Sequence, residues 1–328
     1  MVSNFLNENH SLSLNIYNSN VIKNTADFHH YFAFKLSQLL SIGVVAISAV
    51  GCVANVLSFL TADYLGNKSH GSVYIKWLAF SDFNSVFFDG IINVGLEMLD
   101  VKTLNRNTPA CKLLMWHNWS STFASHWMLV AFTLDRFLAT NLPILYRNKI
   151  RRSTANNLCF FMLAFNYLIC SPLLVFFNNI EGLCVPSYKP EISSYYIQFM
   201  LYVFYSFGPA FSIAFMNIAI IRALKMKKIY STSKEKDDEK KRTENSLTML
   251  LSVISISFLL SSVTSAILSQ SWALLQISDS DPQSLALKEL LRVATEIPAC
   301  INNSINFFLY CISAKIFRKS FIRMISCS

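Results

Sequence analysis

Residues 111–136 read CKLLMWHNWSSTFASHWMLVAFTLDR. From Leu113 to Leu134 the stretch is apolar enough for lipid, yet it opens on a lone cysteine and closes on an adjacent acid and base, Asp135 and Arg136. As a helix rising about 1.5 Å per residue it covers roughly 37 Å, against about 30 Å of bilayer hydrocarbon. Cys111 would then stand at one membrane face and Asp135-Arg136 at the other. Residues at i, i+3, i+4 and i+7 share a helix face, which puts Asn118, Thr122, Ser125, Leu129 and Arg136 in one stripe. A largely polar stripe in a membrane helix faces other helices or water, away from lipid. The stretch therefore reads as the central helix of a bundle.

The rest of the chain fits such a bundle. Its 328 residues are 53% hydrophobic and only 14% charged, with a mean hydropathy of +0.39; a soluble chain carries about 25% charged residues. Charge sits in short blocks between long apolar runs, the pattern of a multi-pass membrane protein. Seven runs are long enough to cross: residues 32–61, 73–99, 109–141, 153–177, 193–225, 243–277 and 285–313, spans 1 to 7. The segments 62–76, 142–152, 222–242 and 314–328 hold 19 of the 28 Lys and Arg, and the opposite side holds eight. The positive-inside rule then sets the N-terminus outside and the C-terminus in the cytoplasm. The net charge of +9 needs no nucleic acid, because the basic residues lie where that rule puts them.

Residues 1–31 are polar and Asn-rich without a signal-peptide pattern. They are expected to form a disordered extracellular tail, with span 1 as its own insertion signal. Asn9-His10-Ser11 is the tail's glycosylation sequon; those at Asn67, Asn118 and Asn302 fall in an inner loop or in spans. The seven-helix domain covers 32–313, and 314–328 forms a cytoplasmic amphipathic helix and tail. Phe317, Phe321, Met324 and Ile325 lie on one side of that helix, with Lys315, Arg318, Lys319 and Arg323 on the other. Such a helix rests on membrane lipid at the inner leaflet. Cys327 beyond it is either a palmitoylation site or a free terminal thiol. None of the eight cysteines forms a C-x-x-C pair or a metal-ligand spacing. Five lie in apolar runs as packing residues, and Cys111 and Cys184 are the two expected outside the membrane, where a disulfide persists.

Particular residues then resemble the rhodopsin-like class of G-protein-coupled receptors over roughly residues 35–325. Span 1 carries Gly51 and Asn55 in GCVANVLSF, and span 2 carries Asp82 in LAFSD. Span 3 carries Cys111 and, 25 residues later, Asp135-Arg136-Phe137 in place of the family's Asp-Arg-Tyr. Pro143 follows seven residues after Arg136, and Pro209 marks span 5. Span 7 ends NNSINFFLYC, where Asn306 and Tyr310 match the family's Asn-Pro-x-x-Tyr with Phe307 in the proline's place. Within the class, the closing stretch NNSINFFLYCISAKIFRKSF looks most like invertebrate neuropeptide receptors of the FMRFamide type.

The resemblance implies an all-α, seven-helix receptor at the plasma membrane with an extracellular ligand, a heterotrimeric G protein as partner and no enzymatic activity. It implies a Cys111–Cys184 disulfide. It also implies a polar cluster of Asn55, Asp82, Ser125, Asn302, Asn303 and Asn306 that holds a sodium ion as allosteric ligand, with no other cofactor or metal. The purely structural alternative is that these groups only satisfy one another. At the inner end, Arg136 pairs with Asp135 and with Glu244, fourteen residues before Phe258, and Tyr310 completes the G-protein switch. Several departures stand out. The usual tryptophan of span 4 is absent, with Met162 near its place. Ser262 and Thr264 replace the Trp and Pro of span 6, Asn217 replaces a span-5 tyrosine, and His126 replaces the aliphatic residue facing Pro209.

The ligand is bounded by chemistry. Amine receptors of the class place an Asp eighteen residues before the Arg; here that position is Asn118, so a small monoamine lacks its counter-ion. The outer ends of the spans instead carry acids and aromatics suited to a peptide. The candidate ligand set is Glu97, Asn118, Trp119, Thr122, Tyr202, Arg292 and Glu296, with Glu97 and Glu296 meeting a basic peptide group. A chemosensory or other non-peptide ligand is the runner-up within the class. A transporter predicts internal repeats and Gly- or Pro-broken helices, and a membrane enzyme predicts a His/Asp/Glu cluster at one depth; neither is visible.

Overall fold

The computed structural model describes all residues except 1, 67–70, 99–107, 181–182, 231–252, 266, 269–281 and 327–328; side chains are further described except at 2–30, 96–97, 183, 227–230, 282–286 and 288–289. Helix occupies each of the seven expected spans. Span 1 lies in Val2–Leu65, whose helical backbone takes in the polar stretch expected to be a disordered tail. Span 2 is Gly71–Ser85 continued by a π-helix, Val86–Val94, and a last α-turn, Gly95–Met98. Span 3 is Thr108–Asn141, and span 4 is Arg152–Ile169 with a further turn at Leu173–Phe176. Span 5 is Pro190–Phe199, a π-helix at Met200–Phe207, and Gly208–Tyr230. Span 6 is described over Val253–Ser265, span 7 over Pro282–Ser313, and the terminal helix over Lys315–Ser326.

Among the described residues, length and apolarity alone find three of these spans: Tyr31–Leu65, Arg152–Phe176 and Pro190–Met226. Span 3 joins them only together with the short helix Pro143–Lys149, which turns away from it by 118°. The polar residues that make the bundle functional dilute its hydropathy, Asn302, Asn303 and Asn306 in span 7 among them. Exposed apolar side chains such as Phe160, Phe161, Phe211 and Phe215 face outward, as lipid-facing residues must.

Buried small and polar residues hold the helices together. Gly90 lets span 2 approach Ser48 of span 1 closely enough that a Cβ would collide with the serine; close approach through small residues is the usual membrane packing device. Ser48 Oγ in turn donates to Cys300 Sγ at 3.5 Å, drawing in span 7. Trp77 Nε1 of span 2 donates to Asn156 Oδ1 of span 4 at 2.9 Å, so an indole still ties these spans although span 4 carries none. Met162 packs against the main apolar core.

One element has no counterpart in the all-α expectation. Strands β1 (Phe177–Ile180) and β2 (Leu183–Pro186) form an antiparallel hairpin after span 4. It is too short to show an alternating pattern in sequence. Asn179 lies opposite Cys184, and Cys184 is disulfide-bonded to Cys111 at the head of span 3, with Cα atoms 5.6 Å apart.

Candidate functional site

The span-3 stripe is buried at Asn118, Ser125 and Leu129 and half-buried at Thr122 and Arg136, and it meets three separate groups of residues. Nearest the disulfide is a cavity of about 150 Å³. Its walls are Trp119 and Phe123 of span 3, Leu201 and Tyr205 of span 5, Ser265 of span 6, and Thr295, Glu296 and Ala299 of span 7. Asp89, Asn118, Ser85, Thr122 and Asn303 also line it. Four of the seven expected ligand residues, Asn118, Trp119, Thr122 and Glu296, therefore share one cavity. Tyr202 does not line it and stacks on Phe207 instead, ring centroids 6.1 Å apart. Arg292 also stands off it, its carbonyl accepting from Thr295 Oγ1 at 2.6 Å. The Glu97 side chain lies outside the described residues.

The π-helices explain who was displaced and who was missed. A π-turn accommodates more residues than an α-turn, so α-helical spacing misplaces side chains across it. In span 5 Tyr205, three residues after Tyr202, is the tyrosine that reaches the cavity. In span 2 it is Asp89, a residue that the reading of the outer ends passed over. Asn118 Nδ2 donates to Asp89 Oδ1 at 2.7 Å. The carboxylate missing from span 3 is thus supplied from span 2, directly against the residue that replaced it. The absence of a counter-ion is no longer an argument against a cationic ligand.

Below the cavity the polar cluster assembles largely as expected. Asp82 is fully buried and accepts from Ser125 Oγ on one carboxylate oxygen and from Asn306 Nδ2, at 2.7 Å, on the other. Asn303 Nδ2 donates to Ser85 Oγ at 3.0 Å, and the Ser85 and Thr122 hydroxyls share a hydrogen bond of 2.9 Å. Asn302 Nδ2 donates to Asn303 Oδ1 at 3.2 Å, and Asn55 Nδ2 to the Asn303 carbonyl at 2.9 Å. Spans 1, 2, 3 and 7 are thereby joined through side chains. Buried polar groups satisfied this way fix one arrangement of a bundle, since each lost partner leaves an uncompensated dipole. The Asp82 carboxylate and the Ser125 hydroxyl beside it are hard oxygen donors.

At the far end, Asp135 accepts from Arg136 Nε at 2.9 Å and from a second guanidinium nitrogen of Arg136 on the same carboxylate oxygen. Its other oxygen accepts from Tyr146 Oη at 3.0 Å. Tyr146 stands on the short helix Pro143–Lys149, and the 118° bend at Leu142 brings it back under span 3. Burial, reinforced by the Asp135 charge, pushes the Tyr146 hydroxyl up to about 12, so it stays a donor at physiological pH. Glu244 lies outside the described residues. Tyr310 is buried with its hydroxyl unpartnered, its ring against Phe317 of the terminal helix. Phe307, in the place of the proline, packs its ring 5.0 Å from Phe321 and 6.1 Å from Phe317.

Between cavity and switch lies His126, 3% exposed. Pro209 has no N–H, so the α-helical donor to the Tyr205 carbonyl is missing. His126 Nδ1 makes that bond at 2.9 Å, and Trp127 Nε1 donates to the Phe204 carbonyl at 3.2 Å. The His126 ring also meets Phe258 edge-on at 4.8 Å and Tyr205 at 4.5 Å. It is a hydrogen-bonded packing histidine.

The family model of the 7 transmembrane receptor (rhodopsin family) matches residues 53–310. Over 302 residues the chain is 21% identical to galanin receptor 2a of Danio rerio, covering 89% of this chain and 79% of that receptor. The match takes in the polar cluster, the cavity and the Asp135–Arg136 pair, and it removes the transporter and membrane-enzyme alternatives. The chain belongs to the rhodopsin family of seven-transmembrane, G-protein-coupled receptors and is a multi-pass membrane receptor, not an enzyme.

Proposed function

We propose that this receptor responds to an extracellular neuropeptide and passes the signal to a heterotrimeric G protein at its Arg136 end. The observation that carries the reading is the composition of the cavity: Asp89 and Glu296 as acids, Trp119, Phe123 and Tyr205 as aromatics, and no basic side chain among the described lining residues. A cavity of this volume takes one side chain or one terminus of a peptide. That the curated relative is named as a receptor for galanin is compatible with this reading. Within the class the resemblance of the span-7 sequence favours ligands of the FMRFamide type.

In this reading the disulfide end and the N-terminus face outside, Asn9 is glycosylated, and the basic terminal helix lies on lipid with Cys327 palmitoylated. Asp82 and Ser125, with Asn302, Asn303 and Asn306 around them, hold a sodium ion that favours the resting state. Arg136 is released from Asp135 and Glu244 when the G protein engages. A second reading rests on one observation: Asp89 supplies the carboxylate that a small non-peptide amine requires.

Expression with a promiscuous Gα subunit and a calcium readout separates the two. Amidated neuropeptides are expected to raise calcium and monoamines to fail; activation by amines with silence toward every peptide would overturn the peptide reading. Glu244→Ala is expected to raise ligand-independent signalling, and unchanged basal activity in a receptor that still responds would sink the lock.

A further inference from the structure

On one wall of the cavity Asp89 of span 2 and Asn118 of span 3 stand together. Asn118 is 8% exposed, and its amide orientation is dictated by its neighbour: turned the other way, its oxygen would face the Asp89 carboxylate. With Nδ2 bonded to Asp89 at 2.7 Å, its Oδ1 is buried with no hydrogen-bond partner, and Asn118 lines the cavity. A buried acceptor without a donor costs about 1–3 kcal/mol, and such a group signals either strain or a missing partner. Beside it stands the Asp89 carboxylate, which accepts hydrogen bonds on both oxygens and donates none when ionised.

The missing partner must therefore be rich in donors, lack acceptors and carry positive charge. An ammonium meets these conditions as a point. A guanidinium meets them as a plane, with five N–H groups in a fixed fork that can engage a carboxylate and an amide oxygen together. The aromatic residues lining the same cavity, Trp119, Phe123 and Tyr205, offer faces on which a guanidinium stacks and an ammonium gains less.

We propose that Asp89 and Asn118 form a guanidinium subsite on one wall of the cavity, which reads an arginine side chain of the ligand. Asp89 is the charge partner and Asn118 Oδ1 the second acceptor, held in register by its own bond to Asp89. The π-turn of span 2 sets Asp89 at this depth. The subsite deepens the peptide reading and rests on it for the identity of the natural ligand, but its chemistry can be tested without that ligand.

The test uses full-length receptor in lipid nanodiscs with three benzyl probes: benzylguanidine, the smaller cation benzylamine, and benzylurea, which matches the guanidine in shape but is neutral. The readout is the concentration that gives half the maximal rise in thermal stability. Benzylguanidine is expected to stabilise the wild type at the lowest concentration, with benzylurea at least tenfold weaker. Asp89→Asn is expected to weaken benzylguanidine by tenfold or more while leaving the weak benzylurea response unchanged. Asn118→Leu, which removes the second acceptor without touching the charge, is expected to narrow the preference for benzylguanidine over benzylamine, and it serves if Asp89→Asn fails to fold. Equal binding of benzylguanidine to wild type and Asp89→Asn, or benzylurea binding as well as benzylguanidine, would overturn the subsite; benzylamine outperforming benzylguanidine would overturn the guanidinium assignment. Failure of the two readings stays distinguishable. If benzylguanidine requires Asp89 but no peptide activates the receptor, the subsite stands and the peptide reading falls. If a peptide activates wild type and Asp89→Asn with equal potency, the reverse holds.

Discussion

His126 donates a hydrogen bond to the backbone carbonyl of Tyr205, the carbonyl that Pro209 leaves without its α-helical donor. A histidine in place of the usual aliphatic residue is thus the repair of a backbone defect made in the neighbouring span. Replacing it with leucine keeps volume and removes the donor, leaving a buried carbonyl unpaired at a cost of about 1–3 kcal/mol. His126→Leu is expected to lower the thermal midpoint of the purified receptor, and His126→Gln, which keeps an N–H, to recover part of the loss. Equal midpoints for wild type and the leucine variant would show that the bond contributes nothing.

The wide turn that precedes Pro209 closes on Gly208, whose N–H donates to the Val203 carbonyl. A Cβ at Gly208 would fall inside the contact radius of that carbonyl oxygen, whereas one at Gly43 meets nothing within 4 Å. Gly208→Ala should therefore reduce stability by several kcal/mol or force the turn to re-form, and Gly43→Ala should stay within about 0.5 kcal/mol of wild type. Thermal unfolding of the two variants side by side checks both statements.

Tyr146 strengthens the Asp135–Arg136 pair from outside span 3. Tyr146→Phe removes one charge-assisted bond, about 1.5 kcal/mol, so the resting arrangement should lose roughly a factor of ten in population relative to the active one. Ligand-independent nucleotide exchange on a G protein should rise accordingly. With the hydroxyl pushed up to about 12 by burial and the Asp135 charge, the wild-type contact should show no titration of Tyr146 between pH 6 and pH 8 (about one unit either side of neutrality, far below its pKa). A basal activity insensitive to the substitution would remove Tyr146 from the switch.

Ser85, Thr122 and Asn303 line the cavity and also bond to one another above Asp82. If the proposed cation binds at Asp82, it and the ligand share that wall, and each must alter the other's affinity by the same factor. Exchanging sodium for choline at constant ionic strength should then change agonist affinity, and Asp82→Asn should abolish the change. An undiminished sodium effect in Asp82→Asn would place the cation elsewhere.

Much of this was legible in residues 111–136. The polar stripe of span 3 named Asn118, Thr122 and Ser125 by face alone, and all three make their contacts inward. Arg136 and the two cysteines were legible too, because their spacing matches the membrane's thickness and a family pattern. What escaped was local geometry that a constant helical period cannot express. Asp89 and Tyr205 lie in π-turns, and Tyr202 was selected where Tyr205 serves. Tyr146 depends on a bend at Leu142, and the β1–β2 hairpin is four residues a side. Asn118 was read as evidence against a charge and turned out to be bonded to one, because its meaning lay on another helix.

A π-turn can be regarded as an α-helix that has absorbed one extra residue. Both walls of the cavity that carry Asp89 and Tyr205 are built this way, in Val86–Val94 and Met200–Phe207. Removing one residue from either segment would restore the α-helix and rotate everything beyond it by one position, presenting a different side chain to the ligand while the packing toward Arg136 stayed in place. If the proposed ligand occupies this cavity, specificity is keyed to chain length as well as to residue identity. A single-codon deletion could exchange the cavity's chemistry where many substitutions would only weaken it.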